Sequence, residues 1–593
     1  MHMFSRLLLL VAAVLLTVAF TGCASPFDFS RSDELRNTLI SDYQKQLKSD
    51  DATADVTTHR TPSDVEENLT PERRKQLDSM SGYAAYADDK VSYGPGLTVE
   101  QDQPTVVLSL EDAIRMAVEN NLDIRQARLV PAVSEQQLIQ AQAAFDFTYF
   151  ANIGWQSNDT PGPPSIIPGV SGDTTNDTLS FGTGLRKVSP LTGGTFQLQT
   201  TGSRIRQSGG FTGDQTYYTG DFEASFTQPL LQGAGPEVAQ QQVVLARSAR
   251  DSSVAQLKVN TMDLVVSVEQ AYWNLVNAND ALKVQVRLLD RTISDRDMLA
   301  KRAQFDVTPV QLTESNSYVE IRRSNVISTR NQVRLASDAL KQLINSPDIP
   351  LSEEELILPA DRPIDDPLTF SLLDAVTTAL QERPEMRVAL LNIQDATVRQ
   401  RVADNARLPV LDLTASIGLN GLSDTGPFAA YSNMVDADYI DYAIGGQFEI
   451  PILNRAAKAG YEAAKIQRDQ TVLAYQSQAQ QVVLDVKNNL RDVMTNFELI
   501  GANRAARRAA ADNLRAIEEQ EKAGVALTPE FINLKLQAQQ RLAETEIAEI
   551  EAMTSYNQSI TTLYRAMGTL LSQQGIAFNE TPYDTTNQFI IWP

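Results

Sequence analysis

Two periods of apolar residues alternate along this chain. From Leu110 to about Ala144 apolar positions fall three and four apart, with Ile114, Ala117, Val118 and Leu122 on one stripe, the spacing of an amphipathic helix. The period then drops to two. In FDFTYFANIGWQ, Phe145, Phe147, Tyr149, Ala151, Ile153 and Trp155 share one face, while Asp146, Thr148, Asn152 and Gln156 share the other and Phe150 breaks the rule. This predicts a half-apolar strand of about twelve residues, where a tilted membrane crossing takes about 9–11. A Gly/Pro/Ser-rich loop (158–177) leads to two more alternating runs, LSFGTGL and TFQLQTTG, joined by the hairpin signal SPLTGG. DFEASFTQPLLQG closes the set, with Phe222, Ala224 and Phe226 opposing Glu223, Ser225 and Thr227, and Pro229 as its stop. A helix of roughly 69 residues then runs from Pro236 to about Gln304, striped by Val268, Ala271, Leu275, Ala278, Leu282, Val286 and Leu289. At 1.5 Å per residue it is about 100 Å long and demands a coiled-coil-like partner. A break at FDVTPV precedes a shorter helix to about Ile344.

The pattern then restarts. SLEDAIRMAVENNLDIRQA (Ser109 to Ala127) returns as SLLDAVTTALQERPEMRVA (Ser371 to Ala389), seven of nineteen positions identical and 262 residues on. LPVLDLTASIGLN places Leu411, Leu413, Ala415, Ile417 and Leu419 opposite Asp412, Thr414, Ser416 and Asn420. DYAIGGQFEIPIL follows, with Tyr442, Ile444, Phe448 and Ile450 in phase and Pro451 as stop. A second helix of about 69 residues spans Arg455 to Ala523, striped by Val483, Val486, Leu490, Val493, Phe497 and Ile500. AGVALTPEF then turns into a shorter helix ending near Gly568. Pro229 matches Pro451, Val268 matches Val486, and VTPV around Pro309 matches LTPE around Pro529. Each half therefore reads short helix, strands, long helix, turn, short helix, and fixed self-similarity of this kind reports architecture. Two short helices end to end match one long helix, giving four helical columns per chain about 100 Å tall.

The N-terminus adds a compartment. Arg6 precedes an apolar run of fourteen residues, Leu7 to Phe20, too short for a bilayer span of about 20 and suited to a secretory signal. It ends at FTGCAS, and Cys23, the only cysteine, sits as in a bacterial lipobox, with Phe20 where leucine is usual. The expected organisation is a signal peptide over 1–22, a lipid-anchored polar lead-in over 23–105, a first repeat over 106–345, a linker over 346–370, a second repeat over 371–571 and a tail over 572–593. Within the lead-in, a helix from about Ser30 carries a capping box at Ser32, and another starts at Thr70–Pro71. A formal charge of −23, from 51 basic and 74 acidic residues with no Lys/Arg cluster above that background, argues against nucleic acid as a partner. Two histidines and one cysteine leave no Cys/His metal site, no disulfide and no His-based triad, so no enzyme, cofactor or metal is expected. No later segment holds 18 consecutive apolar residues, so any membrane crossing is made by strands.

Four alternating strands cannot stand alone in hydrocarbon, because unpaired edges cost several kcal/mol per group and a closed barrel needs at least about eight strands. Copies of the chain must pool strands. The duplicated half, the SLEDAI opening, the strands ending in TQPLLQG or EIPIL and the paired TP turns resemble the TolC-type outer-membrane factor family, in its lipoprotein-type members, over Val106 to Leu571. The resemblance implies a mainly α fold with a membrane β-barrel: a homotrimer with a twelve-stranded barrel in the outer membrane, continued by a twelve-helix tunnel through the periplasm. It further implies a passive exit duct of a tripartite efflux or type I secretion system, with an inner-membrane pump and a periplasmic adaptor as partners, and outer-membrane lipid around it. The first half departs from the pattern, since about 87 residues separate its helices (Phe145 to Leu231). Its extra hairpin, Leu179 to Gly202, is expected to extend the barrel outside the membrane, the alternative being that it adds strands.

The tunnel tips hold the candidate sites. Asp306 at the first turn and Glu518, Glu519 and Glu521 before the second would form acidic rings under three-fold symmetry, a candidate periplasmic gate; exposed terminal turns are also simply charged. Thr308, Pro309, Gly524, Thr528 and Pro529 are the candidate adaptor contacts, although threonine as N-cap with proline at the first helical position explains both turns structurally. The rival to a conduit is a periplasm-spanning structural or adhesive coiled-coil lipoprotein, and a soluble β-domain is the plain reading of the strands. The polar alternation of Asp412, Thr414 and Ser416 favours a lumen.

Overall fold

The computed structural model describes residues 27–49, 56–58, 63–82, 85–86, 104–161, 173–209, 214–302, 307–525, 527–578 and 590–591. The expectations for the signal segment, for Cys23 and for Phe305–Asp306 fall outside them. In chain order the lead-in supplies α1 (Ser30–Ser49), α2 (Asp64–Asn68) and α3 (Pro71–Ser81). The first repeat comprises β1 (Thr105–Leu108), α4 (Leu110–Asn120), α5 (Leu122–Gln142), β2 (Thr148–Thr160), β3 (Thr174–Val188), β4 (Thr195–Gly209), β5 (Gln215–Pro229), α6 (Gln241–Arg302) and α7 (Pro309–Ile344). After β6 (Leu356–Pro359) the second repeat comprises α8 (Leu372–Glu382), α9 (Pro384–Asn405), β7 (Val410–Ser423), α10 (Pro427–Val435), β8 (Tyr439–Glu449), α11 (Arg455–Lys522) and α12 (Pro529–Met567).

The repeated serines start the repeats. Ser109 accepts the Asp112 amide at 3.1 Å and Ser371 the Asp374 amide at 3.3 Å, each capping its helix. Both opening helices then break at equivalent positions, where one continuous helix per half was expected. At Asn121 the side chain accepts from the Asp123 and Ile124 amides, so it caps a new helix instead of continuing the old one. At Arg383 the following Pro384 enforces the same break. In the lead-in, Ser32 lies inside α1 rather than capping it; Asp28 accepts the Ser30 amide at 2.9 Å and begins the helix two residues earlier.

The chain divides into two compact units. The helical unit takes 36–132, 252–388 and 476–593 among the described residues. Its core follows the predicted stripes: Val268, Leu275 and Leu282 on α6, and Val486, Leu490, Val493, Phe497 and Ile500 on α11, are buried. At the head of the second stripe Val482, not Val483, is the buried valine. Full burial of a valine or leucine contributes about 1.5–3 kcal/mol, and a seam of them holds helices whose own propensity would not. Tyr272 pins the seam to the linker: its hydroxyl donates to Asp361 at 2.8 Å and accepts the amides of Ala360 and Asp361, both at 3.1 Å.

The other unit takes 27–35, 133–251 and 389–475 and holds a single antiparallel sheet in the order β8-β7-β5-β4-β3-β2. The structure corrects the strand count. The Leu179–Gly202 hairpin lies within the sheet, as β3 and β4 between β2 and β5. Each chain therefore supplies six strands, whereas a twelve-stranded trimer would draw four. The alternation runs through both added strands and lets them pair along their full length. The first strand begins at Thr148 rather than Phe145, because Ala143–Phe145 closes the helix as a 3-10 turn.

Candidate functional site

Register makes the sheet two-faced. One row of Cα partners crosses all six strands as Tyr149, Leu185, Leu198, Ala224, Ile417 and Tyr442. The next row reads Phe150, Gly184, Gln199, Glu223, Gly418 and Asp441. Side chains in adjacent rows point to opposite faces, so the first face is apolar and the second largely polar or small. On the polar face Gln197 donates to Gln199 at 2.9 Å, and Gln199 to Thr201 at 3.2 Å. Phe150, the exception in the sequence pattern, lies over Gly184, where a Cβ would come within 2.5 Å of its ring. The apolar face is open: Ile153, Trp155, Tyr442 and Ile444 are all more than 70% exposed. Along β7 its apolar stretch, Leu411 to Leu419, rises about 21 Å at a tilt of about 40°, near the ~25 Å apolar band of a membrane barrel.

The alternation did not announce α10. It lies on the apolar face over a row of three glycines, Gly202, Gly220 and Gly421, which are register partners on β4, β5 and β7. A Cβ on Gly421 would sit 2.1 Å from the Ala430 carbonyl, so only glycine lets the helix approach this closely. Ala430 and Met434 are buried against this floor, while Phe428 remains 90% exposed.

At the tips the two turns meet. Thr308 and Gln311 form a capping box at the start of α7, and Gln311 Nε2 also donates to the Leu527 carbonyl at 3.0 Å, tying the first turn to the second. Thr528 caps α12 by accepting the Phe531 amide at 3.2 Å, with Pro529 at the first helical position as Pro309 is in α7. Gly524 adopts φ +85°, the left-handed conformation a helix exit favours. Of the acidic candidates, Glu521 joins Lys535 at 2.6 Å, and Lys535 also holds Asp295 at 2.8 Å. Burial works against the Lys535 ammonium, but the carboxylates of Asp295 and Glu521 outweigh it and raise its pKa. Glu519 faces solvent beside Lys522 at 3.3 Å, and Glu518 is half-buried. Above them Arg322 is buried: it donates to Gln539 at 3.1 Å, to the Leu536 carbonyl at 2.9 Å, and to Thr292. Burial lowers its pKa to about 10 against the opposing pull of Asp295.

A second charged cluster ties down the lead-in. Arg507 and Arg508 on α11 reach Asp78 of α3, each at 2.8 Å, and Arg508 reaches Glu66 at 2.5 Å. Arg507 and Arg504 also hold Glu549 of α12. Beside them Glu546 is buried with its pKa raised to about 7, burial outweighing the arginines Arg291, Arg287 and Arg507. Among the described residues, no group of His, Cys, Asp and Glu is arranged to hold a metal ion, and no helix is long and apolar enough to cross a membrane.

A family profile described as outer membrane efflux protein matches residues 375–569. Over those residues the chain matches that family. The matched span runs from α8 through β7, α10, β8 and α11 to just past the end of α12, so the profile falls on the second repeat. Outer membrane protein TolC of Escherichia coli (strain K12) is 25% identical over 333 residues, 53% of this chain and 63% of TolC. The TolC of Salmonella enteritidis is 24% identical over 332 residues, again 63% of the relative. The chain thus spans less than two thirds of these curated relatives. Among solved structures, the CmeC outer membrane channel of Campylobacter jejuni superposes with a TM-score of 0.56 at 16% identity, over 81% of this chain and 92% of CmeC. The open-state MtrE outer membrane channel of Neisseria gonorrhoeae gives 0.54 at 19% identity, over 80% and 97%. These likenesses establish that the chain shares the fold of those channels.

Proposed function

We propose that this protein is a passive export channel of the outer membrane, in which three copies close their sheets into one barrel and their helices into a periplasmic tunnel. The observation that carries the reading is the two-faced sheet with both edges open. Every residue of β2 except Phe150 and every residue of β8 except Gly445 is exposed or at the edge of exposure. Such edges are not tolerated in lipid and are satisfied by closure with further copies. Lipid then covers the apolar face, and water and cargo pass the polar one. The solved outer membrane channels that share the fold and the TolC relatives point the same way. The turns at Thr308–Pro309 and at Gly524 and Thr528–Pro529 are the contacts for a periplasmic adaptor, which couples the duct to an inner-membrane pump. Asp306, outside the described residues, and Glu518, Glu519 and Glu521 gate the tip. Cys23 carries the lipid anchor, and chemistry on cargo has no place in this reading.

The test is single-channel recording from purified protein in planar bilayers. Discrete conductance steps support the duct. A protein that inserts and never conducts, at any voltage and after disruption of the Lys535 ion pairs by Lys535→Met, is the structural lipoprotein instead.

A further inference from the structure

We infer that the barrel of this protein has eighteen strands, six from each of three copies, and a correspondingly wide bore. The inference rests on the trimeric reading above and concerns what such a trimer builds.

The added hairpin is not an appendage. β3 pairs with β2 over 13 residues and with β4 over 15, and β4 pairs with β5 over 13. The row from Tyr149 to Tyr442 puts Leu185 and Leu198 of the hairpin level with Ala224 and Ile417 of the strands that flank it. A hairpin projecting beyond the membrane would have no use for an apolar stripe at that height. Leu179, Phe181 and Leu185 continue the apolar face, and Ser180, Gly182 and Gly184 the polar one. Its turn reaches the helix-proximal end of the sheet: the Gly235 amide donates to the Thr192 carbonyl at 3.3 Å, and Gln240 Nε2 to the Pro190 carbonyl at 3.0 Å. The hairpin therefore crosses the full height of the sheet.

Closure is compatible with six. Neighbours alternate in direction throughout the order β8-β7-β5-β4-β3-β2, so β2 and β8 run opposite ways. The β2 edge of one copy can pair antiparallel with the β8 edge of the next, apolar face to apolar face, and a head-to-tail contact of this kind closes a ring. With strands about 4.8 Å apart and tilted about 40°, eighteen strands give a circumference of about 113 Å and a backbone diameter of about 36 Å, against about 24 Å for twelve. The area enclosed by the backbone is about 2.3 times that of twelve strands. Barrels of 16–18 strands leave a water-filled passage, and the small polar-face residues Gly154, Gly182, Gly184, Gly418 and Gly445 add to it. The outer-membrane segment then admits bulkier solutes than a twelve-stranded barrel would.

Electron cryomicroscopy of the full chain in lipid nanodiscs tests this directly by counting strands. The expected result is a three-fold ring of eighteen strands, about 36 Å across. A variant lacking residues 174–209 leaves β2 and β5 antiparallel, so it retains a closable four-stranded unit and shrinks the ring to about 24 Å. A trimer of twelve strands with the 174–209 hairpin outside the wall overturns the inference while leaving the export duct intact. Absence of any ring overturns the trimeric reading itself, and the inference with it. If the shortened variant fails to fold, the count in the unaltered chain still decides.

Discussion

Replacing Glu546 with glutamine should stabilise this protein by an amount that grows from about pH 4.5 to pH 7 and is complete above it. The carboxyl is 2% exposed, and among the described residues its Oε1 has no hydrogen-bond partner. Burial raises its pKa from 4.5 to about 7. The folded chain thus holds this proton more firmly than the unfolded chain does. Between about pH 4.5 and pH 7 the folded state binds more protons, so the stability lost grows as pH rises through that window and is complete above it. The difference corresponds to about 3 kcal/mol. At about 2.1 cal/mol/K per residue, a chain of this length changes Tm by about 1 °C for each 1.2 kcal/mol, so Glu546→Gln should gain about 2.5 °C at pH 8.5 and nothing near pH 4.5. Scanning fluorimetry of variant and parent in the same detergent, from pH 4.5 to 9, measures it, because groups common to both cancel in the difference. A difference that stays flat over this range, or that narrows as pH rises, refutes the reasoning.

Three further outcomes follow from the same contacts. Arg507→Leu removes one of the two arginines that hold each of Glu549 and Asp78, Arg504 and Arg508 remaining; it should cost about 1.5–3 kcal/mol and expose 71–81 to limited proteolysis, with unchanged cleavage kinetics as the contrary result. Gly421→Leu collides with the Ala430 carbonyl, so a cysteine placed at Ala430 should react with maleimide in that background and stay protected in the parent. Thr308→Ala and Thr528→Ala each remove an N-cap, costing about 1 kcal/mol, which faster hydrogen exchange at the Gln311 and Phe531 amides would reveal.

What the sequence made legible was whatever repeats with a period. The stripes at Val268 and Val486 and the alternation from Leu411 to Leu419 are local patterns, and the matching landmarks of the two halves multiply their weight. The sheet's true size was also written there, in arithmetic: Ser109 and Ser371 differ by 262 positions and Pro229 and Pro451 by 222, so 40 extra residues lie between them in the first half. That is room for two strands and their turns. The surplus within the roughly 87 residues from Phe145 to Leu231 instead suggested a hairpin extending outside the membrane. Pairs distant in sequence left no such trace. Arg507 with Asp78 and Glu549, or Gln311 with Leu527, are isolated side chains on separate elements, and only folding brings them together. The α10 helix was hidden for another reason, since its seat is defined by what Gly202, Gly220 and Gly421 lack.

The hairpin of β3 and β4 enters and leaves the sheet at the same end of the strands, so the chain resumes where it departed. Lengthening a subunit by one such excursion preserves the direction of every later segment and leaves both lateral seams unaltered. A wall made this way can be re-bored during evolution in increments of two staves per subunit.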